Sequence, residues 1–134
     1  MVVGCLEPAA SNPLIEIHSS HSGGRGVFAR QAIPVYTVIE TAPVVIVPAR
    51  ECAALDRTIL HDYYFHWDGD PAGDGRGAVA LGLVSLCNHS SAPRARANRN
   101  FAAETLDLIA LVEIERGAEI TIDYNCELWF EPRV

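Results

Sequence analysis

Cys87-Asn88-His89-Ser90, read with Glu119-Ile120-Thr121-Ile122-Asp123-Tyr124, decides the fold of this 134-residue chain. An Asn-His-Ser run alone says little. Here it follows a Gly24-Arg25-Gly26 turn and precedes a strand-like segment that ends in Asp-Tyr. Segments so far apart in sequence can build one site only if the chain folds back on itself.

Strand alternation over residues 120–124 puts Ile120, Ile122 and Tyr124 on one face, and Thr121 and Asp123 on the other. An inward Tyr at a strand end places a hydroxyl in an apolar setting, where it seeks a partner. Upstream, residues 14–18 and 27–29 read as short strands. Residues 37–47 are dense in β-branched side chains and predict two short strands, with Pro43 marking an edge or a break. Residues 49–62 predict a helix that starts after Pro48 and shows Cys52, Leu55 and Ile59 on one face. Residues 63–67 predict an aromatic strand, 68–77 a loop, and 78–81 another strand. Residues 98–101 and 106–112 predict a strand pair, followed by a turn at Glu115-Arg116-Gly117. Many short strands with one helix argue for a β-rich single domain. Residues 1–13 form a lead-in to one domain over 14–134, which includes an apolar tail at Leu128-Trp129-Phe130.

A chain of this length suffices for one domain and hides roughly two-thirds of its unfolded surface. At 49% hydrophobic it can bury a real core without zinc or disulfides. Ten basic against seventeen acidic residues leave a formal charge of -7, which argues against nucleic acid and for basic protein partners. The cysteines Cys5, Cys52, Cys87 and Cys126 form no C-x-x-C pair. His18, His21, His61, Asp62 and His66 match no metal-ligand spacing, so no metal is expected. No apolar run reaches transmembrane length, so no membrane partner is expected either. The expectation is an intracellular, cytoplasmic protein with reduced thiols.

Three segments carry the chemistry. Two glycines around Arg25 allow a positive φ and close approach of backbone to another group, though a plain hairpin turn reads the same way. Asn88 and His89 together offer donors and acceptors fit for the ends of a small zwitterion or an adenine edge. The alternative for that pair is an Asn-centred turn with a core histidine. For Tyr124 the alternative is a core tyrosine bonded to a carbonyl.

In this order, the three segments resemble the SET domain of protein-lysine methyltransferases, in a stand-alone form without a C-terminal zinc module. The resemblance spans residues 14 to about 130. It implies a mostly β fold with one short helix, a β-clip of several small sheets whose C-terminal strand joins the Asn88-His89 segment in a pseudoknot. It implies transfer of a methyl group from S-adenosylmethionine to a lysine of a basic protein or peptide. By resemblance Tyr124 holds the catalytic position, and Gly24, Arg25, Gly26, Tyr63, Asn88, His89 and Trp129 hold the cofactor. The channel residues would be Ile122, Tyr64 and Thr41.

The chemistry explains the Tyr. In-line transfer from a sulfonium needs a neutral amine, and free lysine has a pKa near 10.4. A narrow apolar channel favours the neutral form, and a hydroxyl with nearby carbonyls orients its lone pair. The chain departs from the family pattern in three places. Ser91 stands for a Cys and Arg94 for an Asn, and Glu40-Thr41-Ala42-Pro43 stands for Glu-Tyr-x-Gly. Those departures feed an alternative, a non-catalytic SET-like module that binds a protein or the cofactor. A third reading is methylation of a non-peptide amine. So small a domain leaves one wall of its groove incomplete, and the second subunit of a homodimer could supply it.

Overall fold

The computed structural model describes residues 12–21, 24–67 and 75–124. Among these, alternating aliphatic and polar residues form nine strands. They are β1 (Ile15–Ser19), β2 (Arg25–Ala29), β3 (Val38–Val47), β4 (Tyr64–His66), β5 (Gly77–Ala80), β6 (Asn88–His89), β7 (Ala95–Asn100), β8 (Thr105–Ala110) and β9 (Glu119–Ile122). The α-helix α1 (Ala49–Leu55) is short, and two 3-10 turns follow at Ile59–Asp62 and Leu83–Leu86. One sheet runs β1-β2-β9-β6 and the other β4-β5-β3-β8-β7. The fold is mostly strand with one short helix and several sheets, as the resemblance implies. The core between the sheets holds Val27, Ile33, Leu106, Leu108, Ile114 and Ile120, all at 0–1% exposure.

Three local expectations need correction. First, residues 38–47 form one strand. Its first part pairs with β8, Val38↔Ile109 to Pro43↔Thr105, and its second part pairs with β5, Val44↔Ala80 to Val47↔Gly77. Pro43 therefore marks a change of partner. Its carbonyl accepts from Leu81 N on the β5 side, the edge on which an N–H is missing. Second, the helix stops at Leu55. Thr58 is extended, its Oγ1 donates to Leu55 O and accepts from Leu60 N, and the chain restarts as a 3-10 turn. The apparent helical spacing to Ile59 was coincidental, because Ile59 is 78% exposed. Third, β7 begins at Ala95. Ala95, Ala97 and Arg99 face inward, and Arg99 Nη1 donates to His66 O at 2.7 Å. Arg99 is thus buried although β7 lies at the edge of its sheet, while Arg94, just before the strand, is exposed.

One pairing positions the site. β6 and β9 run parallel, Asn88↔Thr121 and His89↔Ile122, although the β7–β8 hairpin separates them in sequence. Ser90 N donates to Ile122 O, and Arg94 Nη1 donates to Glu119 O. Arg94, a departure from the family pattern, therefore braces the crossing itself. This parallel pair is the C-terminal crossing that the resemblance implies.

Candidate active site

The site is built on the 3-10 turn Leu83–Leu86. Its first amides are held by one carboxylate, Leu83 N to Glu40 Oε2 at 2.8 Å and Val84 N to Glu40 Oε1 at 2.9 Å. Val84 is fully buried beneath the turn. The turn delivers Cys87 in extended conformation and then Asn88 into β6. Burial pushes the Cys87 thiol well above its usual range, with the carboxylates of Glu40 and Glu119 adding to the effect. The thiol stays protonated, and what Cys87 offers the site is its carbonyl.

That carbonyl accepts the Tyr124 hydroxyl at 2.6 Å. Tyr124 lies two residues beyond the end of β9, in a turn, and is 44% exposed. The expected inward strand-end tyrosine is therefore corrected to a half-exposed residue whose hydroxyl reaches back to the turn. His89 fixes that position. Its Nδ1 accepts from Tyr124 N at 3.0 Å, and the two rings lie 5.2 Å apart.

The glycine segment meets the site through Asn88. Gly24 has φ +64, a left-handed conformation that suits glycine, and its carbonyl accepts from Ser20 N. Asn88 Nδ2 donates to Arg25 O at 3.2 Å and to Glu119 Oε2 at 2.7 Å. Ser20 Oγ donates to Glu119 Oε1 at 2.9 Å. A Cβ built on Gly26 would collide with Glu119 Oε2 and crowd Asn88 Nδ2. Gly26 thus makes room for the Asn88–Glu119 contact behind the cleft, and it does not line the cleft itself.

The outcome is a cleft of about 110 Å³ walled by Gly24, Arg25, Tyr63, Ser85, Leu86, Cys87, Asn88 and Tyr124. Five of the residues singled out in the sequence converge here: Gly24, Arg25, Tyr63, Asn88 and Tyr124. Ile122 is buried in the core at 1% exposure and does not line the cleft. Tyr64 faces elsewhere, its hydroxyl donating to Asp56 Oδ1 at 2.7 Å. Thr41 lines a different, larger groove of about 790 Å³. Trp129 lies outside the described residues. Sequence reasoning missed Glu119 as the clamp on Asn88, Glu40 as the anchor of the turn, and the Cys87 carbonyl. Backbone acceptors carry no residue-type signal, and both carboxylates read as ordinary strand residues.

Chemically, the cleft has an exposed guanidinium at its rim, the Asn88 amide and the Cys87 carbonyl inside. Asn88 Oδ1 has no partner among the described residues. Such a set suits the charged end of a small zwitterion. Ligand pockets typically span ~300–1,000 Å³, so this cleft takes one end of a larger molecule.

The chain's likeness to known proteins points the same way. A family model for the SET domain matches residues 24–125. A Schizosaccharomyces pombe histone-lysine N-methyltransferase, H3 lysine-37 specific, is 34% identical over 125 residues, covering 92% of this chain and 81% of that protein. A crystal structure of a Plasmodium falciparum protein assigned as a histone methyltransferase superposes with a TM-score of 0.66 at 27% identity. It covers 85% of this chain and 95% of that one. With the family model matching residues 24–125 and a relative 34% identical over 92% of its length, the chain belongs to the SET-domain family.

Proposed function

We propose that the protein transfers a methyl group from S-adenosylmethionine to the side-chain amine of a lysine in a basic protein, histone H3 being the substrate class its yeast relative suggests. The observation that carries this reading is the convergence of Tyr124, Asn88 and the Gly24-Arg25 backbone around the Cys87 carbonyl. The residues fit one end of the cofactor. Gly24 leaves open space where a side chain would stand, the Asn88 amide offers a carbonyl oxygen, and Arg25 supplies a cation for a carboxylate. When bound, S-adenosylmethionine supplies an electrophilic methyl group on a sulfonium.

The chain's own groups do the rest. The Tyr124 hydroxyl donates its one proton to Cys87 O, so toward the incoming amine it acts as an acceptor of an N–H. The amine's own lone pair is then free to face the donor. Apolar Leu86, in the wall of the cleft, disfavours a charged ammonium and so favours the neutral nucleophile. His89 holds Tyr124 through its backbone amide, so the phenol is placed by two anchors.

The test is calorimetry with S-adenosylmethionine together with a methyl-transfer assay, on wild type, Tyr124→Phe and Asn88→Ala. Asn88→Ala is expected to abolish cofactor binding, because it frees both the Arg25 carbonyl and the Glu119 carboxylate. Tyr124→Phe is expected to bind the cofactor as wild type does and to lose about a hundredfold in transfer. The sequence contains no lysine, so methyl groups found on lysine belong to the substrate. A folded wild type that binds no cofactor would move the reading to a non-catalytic SET module.

A further inference from the structure

Behind the cleft, one carboxylate ties together the ends of a whole sheet. Glu119 opens β9, which lies between β2 and β6 in the order β1-β2-β9-β6. Its Oε1 accepts from Ser20 Oγ, just past the end of β1, at 2.9 Å. Its Oε2 accepts from Asn88 Nδ2 on β6 at 2.7 Å. On β2, Gly26 leaves the carboxylate the space that a Cβ would take. The partly buried carboxylate is thus held on both oxygens, by residues that meet only because the strands do.

The same bonds decide which way the Asn88 amide faces. Nδ2 gives one proton to Arg25 O and the other to Glu119 Oε2. A carbonyl and a carboxylate can only accept, so the amide cannot turn over without setting its oxygen against two others. Asn88 Oδ1 is therefore pinned on the opposite side of a residue that lines the cleft. The carboxylate also polarises the amide. A hydrogen bond to an ionised acceptor is roughly twice as strong as a neutral one, and it strengthens the next bond along the chain. Negative charge on Glu119 thus makes Oδ1 a better acceptor, above all for a cationic donor. That charge is felt within the site, since the Cys87 thiol is pushed up by burial first, then by Glu40 and by Glu119.

We propose that Glu119, braced by Ser20, is a positioning residue for the cofactor: it aims the Asn88 amide oxygen and gives this end of the cleft its preference for a cationic ammonium over a neutral group. This inference rests on the methyltransferase reading, in which the cleft takes the zwitterionic end of S-adenosylmethionine. Neither Glu119 nor Ser20 lines the cleft, so both act through Asn88 and their substitution leaves the walls in place.

The test is calorimetry on wild type, Glu119→Gln and Ser20→Ala with two ligands. One is S-adenosylhomocysteine, and the other is its analogue with hydrogen in place of the α-amino group. The pair share nucleoside, thioether and carboxylate, so their affinity ratio reads the ammonium alone. Glu119→Gln keeps an oxygen for Asn88 and an N–H for Ser20 Oγ, and so removes the charge while sparing the contacts. Wild type is expected to prefer S-adenosylhomocysteine by roughly tenfold or more, and Glu119→Gln by about threefold or less, with affinity for the analogue unchanged. Ser20→Ala should lower the preference in the same direction by a smaller factor. Equal losses for both ligands in Glu119→Gln mark a purely structural role and overturn the proposal. So does a preference equal to that of wild type, or a wild type that binds the two ligands alike. Should Glu119→Gln not fold, Ser20→Ala decides, and an undiminished preference there overturns the proposal. A folded wild type that binds neither ligand strikes the methyltransferase reading and this inference with it, whereas failure of the inference alone leaves wild-type binding intact.

Discussion

Asn88 shows how one side chain can serve structure and site at once. Both protons of its amide are spent inside the protein, on the Arg25 carbonyl and on Glu119. Its oxygen has no partner among the described residues and lines the cleft. The arrangement needs a residue without a side chain at Gly26, since any Cβ there meets the Glu119 carboxylate and the Asn88 amide. Both neighbours are pinned, Glu119 by Ser20 and Asn88 by Arg25, so neither yields freely. Gly26→Ala should therefore destabilise the fold by about 1–3 kcal/mol, the usual cost of overpacking a fixed network. Urea denaturation of the variant measures it, and a midpoint equal to wild type would mean that the clamp relaxes at no cost. The segment's importance was legible in the sequence, because two glycines around one residue signal unusual backbone. Its cause was not, because the partner that demands Gly26 lies 93 residues away at Glu119.

At the scale of elements, the link between α1 and β4 depends on a buttress the sequence did not reveal. Tyr64 on β4 donates to Asp56 just after α1, and His61 reaches the same carboxylate oxygen at 3.1 Å. The hydrogen bond to Asp56, with burial adding, pushes the Tyr64 phenol up to about 12 from 10.0. The same bond, followed by that from His61, lowers the Asp56 carboxyl below its ordinary 3.8. The raised phenol gives stability that is complete below pH 10 and is lost as pH climbs toward 12. The lowered carboxyl gives stability that is complete above its unfolded value and is lost as pH falls through its folded one. Asp56 is solvent-exposed, so this second contribution is small and weakens with salt. Urea midpoints between pH 10 and 12 should thus fall more steeply for wild type than for Tyr64→Phe. Parallel curves would remove the bond as a contributor. The aromatic run at residues 63–67 did announce a strand, and Phe65 and Trp67 do enter the core. Its alternation could not say which face would meet the cleft, and Tyr63, outside β4, is the one that does.

Across the whole molecule, an acidic surface of net charge -7 faces a proposed basic partner. Attraction of this kind acts on encounter and on ground-state binding. It is screened as the Debye length falls from ~10 Å at 0.1 M salt to ~3 Å at 1 M. Raising salt across that range should raise KM for a basic lysine peptide several-fold and leave kcat nearly unchanged. A neutral lysine peptide of the same length should show little change. Steady-state kinetics on both peptides check this, and a salt-insensitive KM for the basic one would contradict electrostatic recognition.

The sequence by itself determined the fold class and the family, and it singled out Gly24, Asn88 and Tyr124, which line one cleft, because turn chemistry, strand alternation and motif order are local signals. It also fixed the acidic charge and the absence of lysine. Only the tertiary structure decided that β3 is continuous and changes partner at Pro43, that Tyr124 stands beyond its strand on the Cys87 carbonyl, and that Thr41 belongs to a second groove. These depend on which strand edge meets which, and on backbone groups that every residue carries alike. Such choices are made by long-range packing and hydrogen-bond satisfaction, to which residue type at one position gives no clue.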